Sequence, residues 1–408
     1  MSQRDRHTSA VDADQTYSIR VVPSITDVDA AEWDACATGG EVSSSEKPYN
    51  PFVSHAFLSA LELSGSAAAR TGWQPQHLIL EGEGGAPIAA APCYLKSHSR
   101  GEYVFDWNWA EAYERAGGRY YPKLQVSVPF TPATGPRLLV RHRTNASHAR
   151  QALAAGLLEL CRRHEASSVH ATFLQPDDLA ALEAQGFLPR CDQQFHWENP
   201  GYASFDDFLS RLASRKRKAI RRERREAAES GVEIRWLTGT NLTEAAWDAF
   251  FAFYVDTGSR KWGRPYLTRE FFSRVGESMR ERILLVVAER AGKPIAGALN
   301  FIGGDVLYGR HWGAVEHLPF LHFELCYYQA MEFAIAHRLP RVEAGAQGEH
   351  KLARGYLPVT TWSAHYLADP GLHRAIAGFL KQERAYVAAA QEELAEAAPF
   401  RKEVCPQE

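Results

Sequence analysis

The apolar positions of the chain fall into two matching series of short alternating runs and longer helical runs. After a polar stretch, residues 1–16, expected to be disordered, residues 17–23 read as a strand and 28–36 as an acidic helix. A polar loop follows at 43–51, and Ser54 offers a hydroxyl to cap a short helix over 55–63. Residues 77–81 and 88–95 flank a glycine-rich reversal and have the pattern of a β-hairpin. The same pattern returns at 283–289 and 295–302. Within it, Gly85-Ala86-Pro87-Ile88-Ala89-Ala90-Ala91 matches Gly292-Lys293-Pro294-Ile295-Ala296-Gly297-Ala298, about half the chain later. Each hairpin leads to an aromatic strand (102–107; 305–312), a long amphipathic helix (149–164; 320–337) and a further strand (168–174; 341–346). The repeated order predicts an internal duplication.

A helix over 205–229, with Ser204 as cap and Gly231 as stop, joins the two copies, and a last helix covers 370–397. Strands alternating with crossover helices imply an α/β chain with a mixed sheet in each half. The expected divisions are a first domain at 17–200, a basic helical connector at 201–234 and a second domain at 235–408.

Composition narrows the function. Among 408 residues, 45% are hydrophobic and 23% charged, which suits packed cores, and the net charge of −3 restricts any nucleic-acid contact to a local patch. The cysteines show no C-x-x-C pair and no zinc-finger spacing, so no metal is expected and a reducing compartment fits. Residues 1–15 lack an apolar core, and no run approaches the roughly 18 apolar residues of a membrane span. The expectation is a cytoplasmic protein.

Three stretches carry candidate chemistry. The joining helix concentrates Arg211, Arg215, Lys216, Arg217, Lys218, Arg221, Arg222, Arg224 and Arg225 around its cylinder, a density that a polyanion would relieve. Arg217, Arg221 and Arg224 are the expected phosphate or nucleic-acid contacts; the alternative is a solvated helix whose arginines pair with acidic residues elsewhere. Asp106, Trp107, Trp109, Tyr113 and Lys123, with Arg310 and Trp312 in the second copy, combine aromatic area with orienting polar groups, as a ligand cleft requires. Glu343, Glu349 and His350 follow the end of a strand among glycines and can move protons, while Lys351 and Arg354 can hold an anion. No phosphate-binding loop and no complete dinucleotide fingerprint is present.

The runs Asn50-Pro51-Phe52-Val53-Ser54-His55, Asp106 to Tyr113, Pro129-Phe130-Thr131-Pro132 and Glu343 to Lys351 resemble the FemAB-like predicted N-acyltransferases, within the GCN5-related N-acetyltransferase (GNAT) fold superfamily. The resemblance implies two tandem GNAT-like domains and a basic helical insertion, as in relatives that move aminoacyl groups from tRNA to peptidoglycan precursors. Acetyl-CoA enzymes of the superfamily hold pyrophosphate with a glycine-rich loop at a helix start. Here the corresponding stretches, 141–148 and 313–321, lack those glycines, and the second carries Glu316. The expected function is transfer of an acyl or aminoacyl group to an amine acceptor by direct attack, with no tightly bound cofactor. Aminoacyl-tRNA is favoured over acyl-CoA as co-substrate. The rivals are a CoA-dependent N-acetyltransferase with an atypical pyrophosphate site and a non-catalytic RNA-binding protein.

Overall fold

The computed structural model describes residues 18–39, 49–141, 145–261, 265–345 and 348–401. The expected disorder of 1–16 therefore falls outside the described residues. The first half contains β1 (Ser18–Val22), α1 (Ala30–Thr38), α2 (His55–Leu63), β2 (Trp73–Pro75), β3 (His77–Glu81), β4 (Pro87–Ala91), β5 (Cys93–Lys96) and α3 (Trp107–Arg115). It continues with β6 (Lys123–Val126), β7 (Leu139–Val140), α4 (Ala146–Arg163), β8 (Ser168–Leu174), α5 (Pro176–Glu183) and β9 (Leu188–Glu198). Then come α6 (Phe205–Arg211) and α7 (Ser214–Glu229). The second half contains β10 (Val232–Leu237), α8 (Glu244–Lys261), α9 (Arg269–Ser278), β11 (Ile283–Arg290), β12 (Lys293–Ile302) and β13 (Val306–Ala314). It ends with α10 (Leu321–Phe323), a π-helical turn at Glu324–Tyr328, α11 (Gln329–Ala336), β14 (Arg341–Glu343), β15 (Leu357–Leu367) and α12 (Pro370–Glu396).

Each half has the same plan. An antiparallel run (β1-β3-β4; β10-β11-β12-β13) precedes a crossover helix, and a parallel pair (β6 with β8; β13 with β14) spans that helix. The sheets do not stay separate. Among the described residues, one sheet of 11 strands runs β10-β11-β12-β13-β14-β9-β15-β8-β6-β5-β2. β9 of the first half lies between β14 and β15, and β15 of the second lies between β8 and β9. Each half thus lends its last strand to the other, and β9 pairs with β15 from Leu188↔His365 to His196↔Leu357. β1, β3, β4 and β7 form a second sheet; β4 and β5 are separated by Pro92, whose missing N–H cannot continue a ladder.

One apolar core joins the halves. Phe52 of the first packs edge-on against Phe301 (5.3 Å) and Tyr308 (5.0 Å) of the second. Ser54 caps α2 as expected, accepting from the Phe57 N–H.

Two expected elements differ. Residues 102–107 are not a strand: the chain bends through 101–104, with Tyr103 at a positive φ of 60°, pairs with no strand among the described residues, and enters α3 at Trp107. The joining helix is broken, because fully buried Leu212 turns extended and bridges to Phe400. Ser204 caps α6, and Gly231 follows α7 with a positive φ of 74°. Both helices face the second half, placing Phe205, Phe208, Leu209 and Ile220 in its core.

Candidate active site

β13 and β14 run side by side for three residue pairs only, Val306↔Arg341 to Tyr308↔Glu343. β13 then continues beside β12 to Ala314, while β14 stops at Glu343. The parting opens a cleft of about 420 Å³. Past Tyr308 the β14-side edge of β13 has no strand partner among the described residues, which leaves backbone donors and acceptors for a ligand. The register of β12 and β13 shifts between Leu299↔His311 and Asn300↔Gly309, so Arg310 is the extra residue of a bulge. A bulge re-aims its side chain, and Arg310 reaches the first half, donating from Nη2 to the Phe130 carbonyl at 2.5 Å.

Four walls surround this floor. Tyr254 and Thr257 of α8 stand on one side with Tyr266; His322, Cys326 and Tyr327 of the crossover helix stand on another. The turn Glu349–Arg354 contributes His350 and Lys351, and the first half contributes Gly101, Tyr103, Phe105 and Trp107. The Tyr327 hydroxyl and His350 Nε2 are 2.8 Å apart. Lys351 is 2% exposed and donates to the Gly345 carbonyl at 2.8 Å; burial pulls its ammonium down to about 8.

Arg354 fixes this turn from behind. It donates to the His350 carbonyl (2.7 Å) and to Glu223 of α7 (2.8 Å), and its guanidinium lies 3.5 Å from the centre of the Phe323 ring. It therefore supports the cleft instead of lining it. Glu343 sits at the apex of the parting strands, 5% exposed, and its Oε2 has no hydrogen-bond partner among the described residues. Burial pushes its carboxyl up to about 8. The side chain of Glu349 lies outside what the structure describes.

Of the remaining expected site residues, Trp107, Arg310 and Trp312 line the cleft. Asp106, Trp109, Tyr113 and Lys123 do not. Asp106 and Lys123 form a buried ion pair at 2.6 Å, which is how charges tolerate a core position. Trp109 and Tyr113 pack beside Ile376 and Leu380 of α12. Arg224 is also corrected: it bonds Glu324 and Glu332 at 2.8–3.1 Å and stacks on Phe205, so its charge is used internally. Arg221 pairs on the surface with Asp206, and Arg217 is partly exposed. Glu316 is drawn away to Arg290.

The motifs of the sequence assign no role to α8, although Trp247, Phe250, Tyr254 and Thr257 recur every three or four positions, the signature of a helix. Only the fold brings Tyr254 and Thr257 to the cleft.

The FemAB-like family model, described as peptidoglycan biosynthesis/recognition, matches residues 24–402. No curated protein sequence matches the chain. Among solved structures, FemX aligns with a TM-score of 0.52 at 13% identity, covering 86% of this chain and 98% of its own. A C-terminal domain assigned to a lysylphosphatidylglycerol synthetase of Agrobacterium fabrum aligns at 0.50 and 8% identity, covering 89% and 97%. A tandem GNAT protein of the clavulanic acid pathway aligns at 0.41 and 14%, covering 87% and 99%. At these identities the likenesses concern the fold alone: the mixed α/β architecture is shared with FemX and with the synthetase domain.

Proposed function

The chain belongs to the FemAB-like family, and we propose that it is an N-acyltransferase whose working cleft lies where β13 and β14 part. A neutral amine attacks an ester carbonyl; the C–N bond forms, the C–O bond breaks, and the amine's proton leaves as the alcohol departs. Three groups support this reading. The unpartnered edge of β13 offers N–H donors to the oxyanion of the tetrahedral intermediate. Lys351, held near 8 inside the cleft, has a neutral fraction able to take the amine's proton. The Tyr327–His350 pair faces the same space and can return a proton to the departing oxygen. Glu343 lies just beneath the lining and holds its own proton at neutral pH, so it ranks behind Lys351 as base. Arg310 is the anion anchor.

The observation that carries the reading is the cleft itself: an open strand parting with a buried, pKa-depressed amine, an anion anchor and aromatic walls in one space. For the donor, aminoacyl-tRNA is supported by α7. It packs on the crossover helix through Arg224 and on the His350 turn through Glu223, with Arg217 and Arg221 toward solvent. Acyl-CoA is the second reading, favoured by Glu316 being turned away to Arg290 and so not facing a phosphate. Calorimetric titration with charged tRNA and with CoA tests the choice. Binding of charged tRNA but not CoA is expected; tight CoA binding with no tRNA affinity overturns the donor assignment.

A further inference from the structure

The first half contributes one segment to the cleft, and its burial alternates. Gly101, Tyr103, Phe105 and Trp107 are open or half-open and line the cavity, whereas Glu102, Val104 and Asp106 are buried. The alternation is not a strand's, because the chain bends here and Gly101 and Tyr103 have positive φ, and among the described residues no β-ladder holds the segment in place. Beyond one backbone bond, from the Phe130 N–H to the Gly101 carbonyl at 3.1 Å, side chains hold it. Lys123 Nζ lies 2.6 Å from Asp106 and 3.5 Å from Glu102, and it donates to Ser99 at 2.8 Å. Lys96 lies 3.4 Å from Glu102 and donates to the Arg100 carbonyl at 3.0 Å, its ammonium over the Trp73 ring. The Tyr120 hydroxyl donates to Asp106 at 2.8 Å, and on the outer side Arg190 donates to the Phe105 carbonyl at 2.8 Å.

Burying two lysines and two carboxylates is a poor way to stabilise a core, because desolvation offsets most of the attraction. Burial pulls Lys96 down to about 7. At Lys123 burial acts the same way, but Asp106 and Glu102 outweigh it and hold the ammonium above its ordinary value. What the cluster does achieve is geometric. Every carboxylate in it belongs to the segment, and both ammonium groups belong to β5 and β6, the rigid sheet.

We propose that Glu102 and Asp106 are positioning residues that clamp residues 101–107 to the first-half sheet, and that the aromatic wall so held takes a ring-bearing anion. The ring lies against Phe105 and Trp107, whose own rings sit 4.8 Å apart and are 44% and 53% exposed, and the charge meets Arg310. Exposed neighbouring aromatics offer flat apolar area, and a half-buried guanidinium with no carboxylate in ion-pair range among the described residues offers the charge. The inference shares Arg310 and the aromatic walls with the acyl-transfer reading, but it concerns what the cleft holds, and its test reads binding and not turnover.

Anilinonaphthalenesulfonate, a ring-bearing anion, is the probe. Fluorescence titration of the full chain is expected to show saturable binding that Trp107→Ala and Arg310→Gln each weaken about tenfold. The paired change Lys123→Met with Asp106→Asn removes the clamp without leaving a lone buried charge at that pair. It is expected to keep the thermal midpoint near that of the parent, to weaken the probe about as much, and to raise amide exchange in 101–107 but not in β13. If that pair does not fold, Arg190→Gln, which frees the Phe105 carbonyl, is read by the same two measurements. A folded clamp variant with unchanged probe affinity and unchanged exchange overturns the positioning role. Probe binding indifferent to both Trp107→Ala and Arg310→Gln overturns the ligand assignment, whatever the protein's catalytic activity proves to be.

Discussion

Glu343 Oε2 and His196 Nε2 lie 3.8 Å apart, yet at pH 7 the contact is not an ion pair. Burial pushes the carboxyl up to about 8 and pulls the imidazole down to about 3, so both groups are neutral there. Between the ordinary carboxylate value and about 8, the folded chain keeps a proton that the unfolded chain has released. Stability therefore declines as pH rises through that window. Glu343→Gln, neutral at every pH, is expected to match the parent near pH ~4 and exceed its stability near pH ~9 by on the order of 1–3 kcal/mol. Urea denaturation at the two pH values measures the difference; an equal effect at both means that Glu343 titrates normally.

Arg224 and Arg217 share a helix but not a role. Arg224→Gln leaves Glu324, 4% exposed, without its cation and is expected to cost roughly 2–4 kcal/mol. Arg217→Gln is expected to stay within about 0.5 kcal/mol of the parent. Comparable denaturation midpoints for the two variants would contradict the network around Arg224.

If Lys351 takes the amine's proton, it must be neutral to do so, and turnover rises with pH up to about 8 and then levels. Lys351→Met is expected to lower kcat on the order of 10²–10⁴-fold with little change in KM. Tyr327→Phe, which removes the hydroxyl facing His350, should lower kcat by about tenfold. Full turnover in Lys351→Met moves the base elsewhere, with Glu343 first in line.

The surface pair Arg221–Asp206 is exposed on both sides and contributes little, so it does not withhold Arg221 from a phosphate. Changing Arg217 and Arg221 to Gln together is expected to weaken binding of tRNA. The slope of log K against log salt should fall by about 0.7–0.9 for each phosphate that is no longer neutralised. Filter binding across a salt series reads both quantities, and an unchanged slope removes α7 from the nucleic-acid surface.

The duplication was legible from residues 85–91 and 292–298 because strands and amphipathic helices write their period into neighbouring positions. So were the cap at Ser54 and the cation density of α7, which are local in the chain. The motif from Glu343 to Lys351 begins at the end of β14, and Lys351 lines the cleft. What the sequence by itself could not settle depends on partners far along the chain. Asp106 and Lys123 look like ligand-binding charges until the fold places them 2.6 Å apart in a core. Arg224 looks like a phosphate contact until Glu324 and Glu332, about a hundred residues later, close on it. The exchange of β9 and β15 is invisible to periodicity, since a strand's alternation says which face is buried but not which neighbour it pairs with. Only the tertiary structure decided that a cleft opens where β13 parts from β14, with a first-half segment as one of its walls.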